Sequence, residues 1–388
     1  MTENVVAPQN FTGASHFDIT NSVFIASHNG PTLTSPFQST SLQPPPPTMI
    51  PTLSFDSDSE SSSSTETEWE VYARLLLPRK RGYPLWLPKP HQGLPEEYRR
   101  VGVRIGDVGI LNELGGFDYL FNACLPADHP VNIGRVPPDF RHLQGVDVSG
   151  TTELAQNCRA GSHVASNPSQ IQRSRIPYFP GQQRIPGVSK EVGAGLSFTS
   201  SATKGSLLIL PEGASQIDHQ EYTKFYRFAA ECAQSWYTYV NGPLARGAHN
   251  GSLYLVTGCD KARAWGVASF VDAHPGSVSL DFVPEEPDDE GGPPEYSFSK
   301  CNSASSSSDA DNIFQNQSGC VFLRGFKIAV KIPPFMTSSN VAAKVTYIGQ
   351  LGPDDLLPQS RSTDFAIPIA MQWWLKPYLA SECDYQNP

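Results

Sequence analysis

The chain has 388 residues, with 28 Lys plus Arg against 38 Asp plus Glu and a formal net charge of −10. Only 39% of it is hydrophobic and 17% charged, while 35 Pro and 31 Gly are present, so part of the chain lacks the material for a packed core. The acidic balance excludes a nucleic-acid-coating protein, because such binding rests on Lys and Arg releasing counterions from phosphates, and no nucleic acid is expected as a partner.

Residues 1–30 form a first segment. Within 10–25 the apolar residues fall near every second position among Asn, Ser and Thr, the pattern of a strand that pairs with another copy or with a partner. Residues 1–26 have neither the basic start nor the continuous apolar stretch of a secretory signal. Residues 31–67 read as a disordered Ser, Pro and acidic linker with almost nothing to bury, and serines beside Asp and Glu at 56–64 are candidate phosphorylation sites.

A single globular domain is expected over 68–388. Trp69, Tyr72 and Leu76 have helical spacing before Pro78, and the basic run Arg79, Lys80, Arg81 reads as a solvated helix end. Residues 82–90 alternate Pro with large apolar residues and read as a strand edge packed by Tyr83, Leu85 and Trp86. Residues 102–111 read as one strand bulged at Gly106 and Asp107, joined through Gly115 and Gly116 to 117–121 in a hairpin. Residues 127–189 read as a long irregular loop of the kind that carries function, and 195–200 with 205–210 as a strand pair.

One long amphipathic helix is expected over 218–240. Tyr222, Phe225, Tyr226, Ala229, Cys232, Ala233, Trp236, Tyr239 and Val240 form its core stripe, Lys224, Arg227, Glu231 and Gln234 face outward, and Asp218 with Glu221 forms its cap. Residues 251–257 and 263–270 read as a hairpin with 258–262 at its polar tip, and 278–283, 320–332 and 343–348 as further strands about a loop near 284–318. The fold class is α+β, mainly antiparallel sheet with the long helix packed on it.

No complete catalytic, cofactor or metal constellation is present. Cys259, Asp260 and Lys261 at the hairpin tip form the candidate contact site, where flanking strands fix the loop and a neighbouring Lys lowers a Cys pKa. Cys124 with Asp128 and His129 sketches a thiol and base, but Pro126 lies between them and no oxyanion donor can be named. His129, His142 and His163 with Cys158 lack zinc-ligand spacing. The seven cysteines are odd in number and widely spaced, as in a reduced cytosolic protein, and no apolar run nears the roughly 20 residues that cross a bilayer.

Several stretches are long enough to be specific: 82–86, 94–100, 105–110, 116–122, 126–130, 251–262, 264–270 and 321–328. Together, over about 72–348, they resemble a large family of uncharacterised proteins from mushroom-forming fungi. The resemblance implies a fungal origin and brings no activity, cofactor or substrate. Residues 10–29 resemble the short stretch preceding nucleotide-binding innate-immunity-type receptors in such fungi, but no phosphate loop of the form G-x-x-x-x-G-K-[ST] follows. The expected function is a non-enzymatic cytosolic module for an unidentified protein partner. The alternatives are a peripheral, membrane-acting protein, since 253–270 resembles the hairpins of gasdermin-like pore formers, and an enzyme of unknown class.

Overall fold

A computed structural model describes residues 66–146, 151–287, 291–302, 305–310, 316–331 and 342–357, all within the unit that begins at Thr65. The strand-prone segment 1–30 and all but two residues of the linker 31–67 lie outside the described residues, as does everything beyond 357. The described chain is mainly antiparallel sheet with one long helix, the α+β class read from the pattern.

Helix α1 (Glu68–Leu76) starts where the Glu70 carboxylate accepts the Thr67 N–H at 2.8 Å and its hydroxyl at 2.9 Å. It ends where Pro78 enters a 3₁₀ turn and Lys80 takes the left-handed conformation, φ 56°. Strand β1 (Tyr83–Pro84) follows, then α2 (Glu96–Val101), a short helix with no counterpart in the expectations above. Strand β2 (Asp107–Leu111) and β3 (Phe117–Asn122) form the expected hairpin, but β2 starts only at Asp107. Residues 102–106 turn instead, because Gly102 and Gly106 sit at φ 70° and 88°.

The stretch 127–189 is not the irregular loop expected. It contains β4 (Thr151–Cys158), β5 (Ser162–Ala165) and β6 (Ile171–Arg175), whose mostly polar or short sequences carry little apolar alternation. Strands β7 (Leu196–Ser200) and β8 (Gly205–Leu210) are not a pair, since they belong to different sheets. Strand β9 (Ala214–His219) takes Asp218, so the long helix α3 (Tyr222–Asn241) begins without the Asp218 cap. Strands β10 (Leu253–Ala262), β11 (Ala264–Phe270), β12 (Val278–Glu285), β13 (Glu295–Asn302), β14 (Ser305–Ala310), β15 (Gly319–Lys331) and β16 (Ala342–Tyr347) and helix α4 (Pro353–Leu356) complete the chain. Two of them, β13 and β14, occupy the stretch expected as a loop.

Three sheets result. In the large sheet, β10 and β15 pair along their length. β10 carries β2 and then β9 on its outer side, β15 carries β1 and then β16, β3 extends β2, and β4 extends β9. The middle sheet runs β14-β11-β8-β5 and the outer sheet β13-β12-β7-β6. The side chains alternate accordingly. Leu207, Ile209, Ala264 and Ala268 pack on the outer sheet's Phe198, Leu280 and Phe282, while Leu208, Leu210, Trp265 and Val267 pack on Tyr72 and Leu76 of α1. The middle sheet is thus covered on both faces, which is why every residue of β8 and β11 is buried. Each large apolar side chain buried this way contributes about 1.5–3 kcal/mol.

Helix α3 packs Phe225, Ala229, Ala233, Trp236 and Val240 on Val108, Leu253, Leu255, Phe326 and Ile328 of the large sheet. Tyr237 also turns inward, donating its hydroxyl to the Ile328 carbonyl at 2.8 Å and accepting the Gly251 N–H at 2.7 Å. Tyr222 and Tyr226, placed by the 3.6 spacing in the core stripe, are 38% and 46% exposed. They lie on the rim, edge-on to Phe326.

Candidate functional site

Strand β10 passes straight through the residues expected at a hairpin tip. It does not pair with β11: the chain leaves the large sheet at Ala262 and enters the middle sheet at Ala264, turning a corner at Arg263. Cys259, Asp260 and Lys261 are therefore 1%, 1% and 6% exposed, not a polar tip. Asp260 and Lys261 carry charges that suit a solvent-facing tip, but each is held inside the sheet by a protein partner, Asp260 by Arg81 and Arg324 and Lys261 by the Val101 carbonyl. The 253–270 hairpin that motivated the membrane-acting alternative is likewise absent.

Two bulges in the β10–β15 register, between Val256 and Gly258 and between Asp260 and Lys261, reset the alternation. Cys259 then faces the same apolar cluster as Tyr254 and Val256, beside Cys320. Its thiol is held below the usual range, first by the hydrogen bond with Cys320 and also by the nearby Lys261 charge, while burial drives Cys320 well up. Lys261 donates to the Val101 carbonyl.

Asp260 faces a different cluster. Its Oδ1 accepts from Arg324 at 2.7 Å, and its Oδ2 accepts from Arg81 Nη2 at 2.8 Å and Nε at 3.2 Å. Arg324 also donates to Asp218 at 2.5 Å and to the Arg81 carbonyl at 2.8 Å, and Gln216 holds the second Asp218 oxygen at 2.7 Å. Arg81 reaches the Cys158 sulfur at 2.7 Å. Burial opposes the Arg324 charge, but Asp260 and Asp218 outweigh it and raise its pKa. Gly258 is what lets these groups meet: it stands opposite both Asp218 and Arg324, and a Cβ there would overlap Asp218 Oδ1.

The cluster opens to solvent through a cleft of about 300 Å³ lined by Lys80, Arg81, Gln216, Asp260 and Arg324. Asp260 shares its carboxylate between two guanidiniums, and Lys80 adds a third cation from the exposed turn after α1. Guanidiniums hold anions by planar hydrogen bonding and stay charged at any physiological pH, so their chemistry suits holding a charge. A sequence signal for the site existed. Arg324 and Asp260 interrupt apolar strand runs, and a charge in a buried run needs a partner.

A second buried polar centre fastens the 102–132 region. Asp107 accepts from Tyr98 at 2.9 Å, the Arg104 N–H at 2.7 Å and Asn122 at 2.8 Å, and Asn132 binds the carbonyls of Asn122, Leu125 and Pro126. Burial pushes the Asp107 carboxyl up to about 7. Cys124 backs onto this network, and burial drives its thiol up to about 12, so Cys124, Asp128 and His129 do not supply an activated nucleophile. His163 packs edge-on against Phe198 in the sandwich of middle and outer sheets, away from Cys158 beside Arg81. Among the described residues no three His, Cys, Asp or Glu side chains are grouped to hold a metal, and no helix is long and apolar enough to cross a membrane.

The chain matches no protein-family model, no curated protein and no solved structure. The arginine-lined cleft is accordingly read from its own chemistry.

Proposed function

We propose that the protein is a non-enzymatic binding module that captures an anionic group, a phosphate or a carboxylate, on Lys80, Arg81 and Arg324. The observation that supports this is a solvent-open cleft lined by Lys80, Arg81 and Arg324, whose three cations face only two carboxylates, Asp260 and Asp218, in the cluster. A buried ion cluster of this kind gives fold stability no advantage over apolar packing of equal volume, so its retention fits a recognition role. The left-handed Lys80 fits the same reading, since residues held in sparsely populated backbone regions collect at functional sites. The six described cysteines are free thiols, four of them buried, which supports a cytosolic setting, and the resemblance noted above supports a fungal one.

Titration calorimetry of the full chain with inorganic phosphate tests the reading. Saturable binding is expected, weakened about tenfold by Lys80→Ala and strongly salt-dependent, as an exposed cation contributes on the order of 1 kcal/mol. Equal binding by wild type and Lys80→Ala would remove the cleft from consideration.

A further inference from the structure

Strand β6 is the free edge of the outer sheet, and its register shows which backbone groups it leaves open. Ile171 lies opposite Ser200 and Arg175 opposite Leu196. On either side of that ladder, the Ile176 N–H bonds to the Gly195 carbonyl and the Ser201 N–H to the Gln170 carbonyl. The even-numbered residues of β6 therefore face β7 with their backbone, and Arg173 and Arg175 turn both N–H and C=O to the open edge. Open groups on alternate residues are what an added strand requires.

The side chains around this edge are mostly cationic, with Glu191, whose carbonyl accepts from Arg173, as the exposed carboxylate beside them. Arg173, Arg175, Arg184 and Lys190 are exposed, and residues 171–190 contain no Asp or Glu, in a chain of net charge −10. The edge arginines are held along the strand, Arg173 by the Glu191 carbonyl at 3.1 Å and Arg175 by the Lys190 carbonyl at 3.4 Å. Glu285, in the β12–β13 pair on the far side of the same sheet, accepts from Ser297.

Just past the strand, residues 179–182 form a turn in which the Gln182 N–H bonds to the Phe179 carbonyl, with Pro180 and a left-handed Gly181 at its corners. That sequence suits a type II turn, with Pro at its second position and Gly at its third. The Phe179 N–H bonds to the Gln182 side chain, and the ring stands 71% exposed beside Tyr178, over which Arg184 lies at 5.5 Å. A large exposed aromatic is a recurrent anchor of protein interfaces.

We infer that the β6 edge and the 178–184 turn form a docking surface for an extended acidic segment of a partner protein. The segment adds to the outer sheet as a fifth strand, bonding the backbone of Arg173 and Arg175, setting alternate carboxylates against their guanidiniums, and covering Phe179. The same cations that repel a second copy of this basic edge select for an acidic strand.

Fluorescence polarisation of the full chain with a fluorescein-labelled Glu-Val alternating decapeptide tests this. Binding is expected, weakened about tenfold or more by Arg173→Gln with Arg175→Gln, and weakened by Phe179→Ala, with unchanged melting in each case because these side chains are exposed. Two peptides N-methylated at opposite alternate residues keep the charge and separate strand addition from simple attraction. One set should abolish binding and the other leave it intact. Equal binding of both would overturn strand addition. Undiminished binding by the double arginine variant would overturn the surface, and stronger binding of a single-stranded oligonucleotide than of the peptide would overturn the partner class.

Discussion

Asp218 and Arg324 meet at 2.5 Å although their strands are not neighbours. Asp218 is on β9, Arg324 on β15, and β10 runs between them with Gly258 in the row that joins the two. Strands two apart stand roughly 9–10 Å from one another, so the ion pair is closed entirely by side-chain reach over a residue that has none.

Gly258→Ala should therefore damage the fold without changing any charge. The new methyl must displace the Asp218 carboxylate, and overpacking of this kind costs about 1–3 kcal/mol. Urea denaturation would show it, and a loss below about 0.5 kcal/mol would mean that the Asp218–Arg324 bridge relaxes freely.

Asp260→Ala leaves the buried Arg324 and the partly exposed Arg81 facing each other with one carboxylate fewer. Breaking a buried ion cluster in this way is expected to cost about 3–5 kcal/mol. The double reversal Asp260→Lys with Lys261→Glu should leave little folded protein. Circular dichroism of either variant checks this, and a wild-type melting curve would place these residues at the surface after all.

Asp107 makes stability depend on pH in the direction opposite to a salt-bridged carboxylate. Its carboxyl titrates near 7 in the folded protein and near 3.9 when unfolded, so the folded state holds a proton that the unfolded state has lost. Its contribution is complete below about pH 4 and is lost as pH rises towards 7. Asp107→Asn should remove this fall in melting temperature between pH 5 and 8, at a cost of about 1–3 kcal/mol because an amide then faces the Asn122 amide.

Trp236→Ala should cost about 3–5 kcal/mol, since the indole is 2% exposed and edge-on to Phe121 and Phe228. Lys224→Ala should change stability by less than about 0.5 kcal/mol, as its ammonium reaches only the exposed Glu221 and the Gly145 carbonyl. Equilibrium unfolding of the pair distinguishes the buried and solvent faces of α3.

What the sequence made legible was what local periodicity encodes. The α1 and α3 stripes, the 107–122 hairpin and the strands at 278–283 and 320–332 all bury one or both faces of a regular element, and their spacing says so. The serine strand β14 and the polar strand β6 gave no such signal, because an edge strand is held by backbone bonds that any side chain permits. The candidate site was half legible. Asp260 stood out as a polar residue between strands, but its partners Arg81 and Arg324, and Asp218 on the far side of Arg324, come from three separate elements and meet only in the folded chain.

The corner at Arg263 joins the two ends of this molecule more firmly than a linker would. Ala262 and Ala264 are fully buried on either side, and Arg263 itself is clamped to Glu212 and to the Pro294 carbonyl. A chain fixed on both flanks of a single residue has no swivel, so the order of the large sheet and that of the middle sheet are tied together at this corner. It also fixes the cleft residue Asp260, three residues from that corner, in a strand anchored at its end.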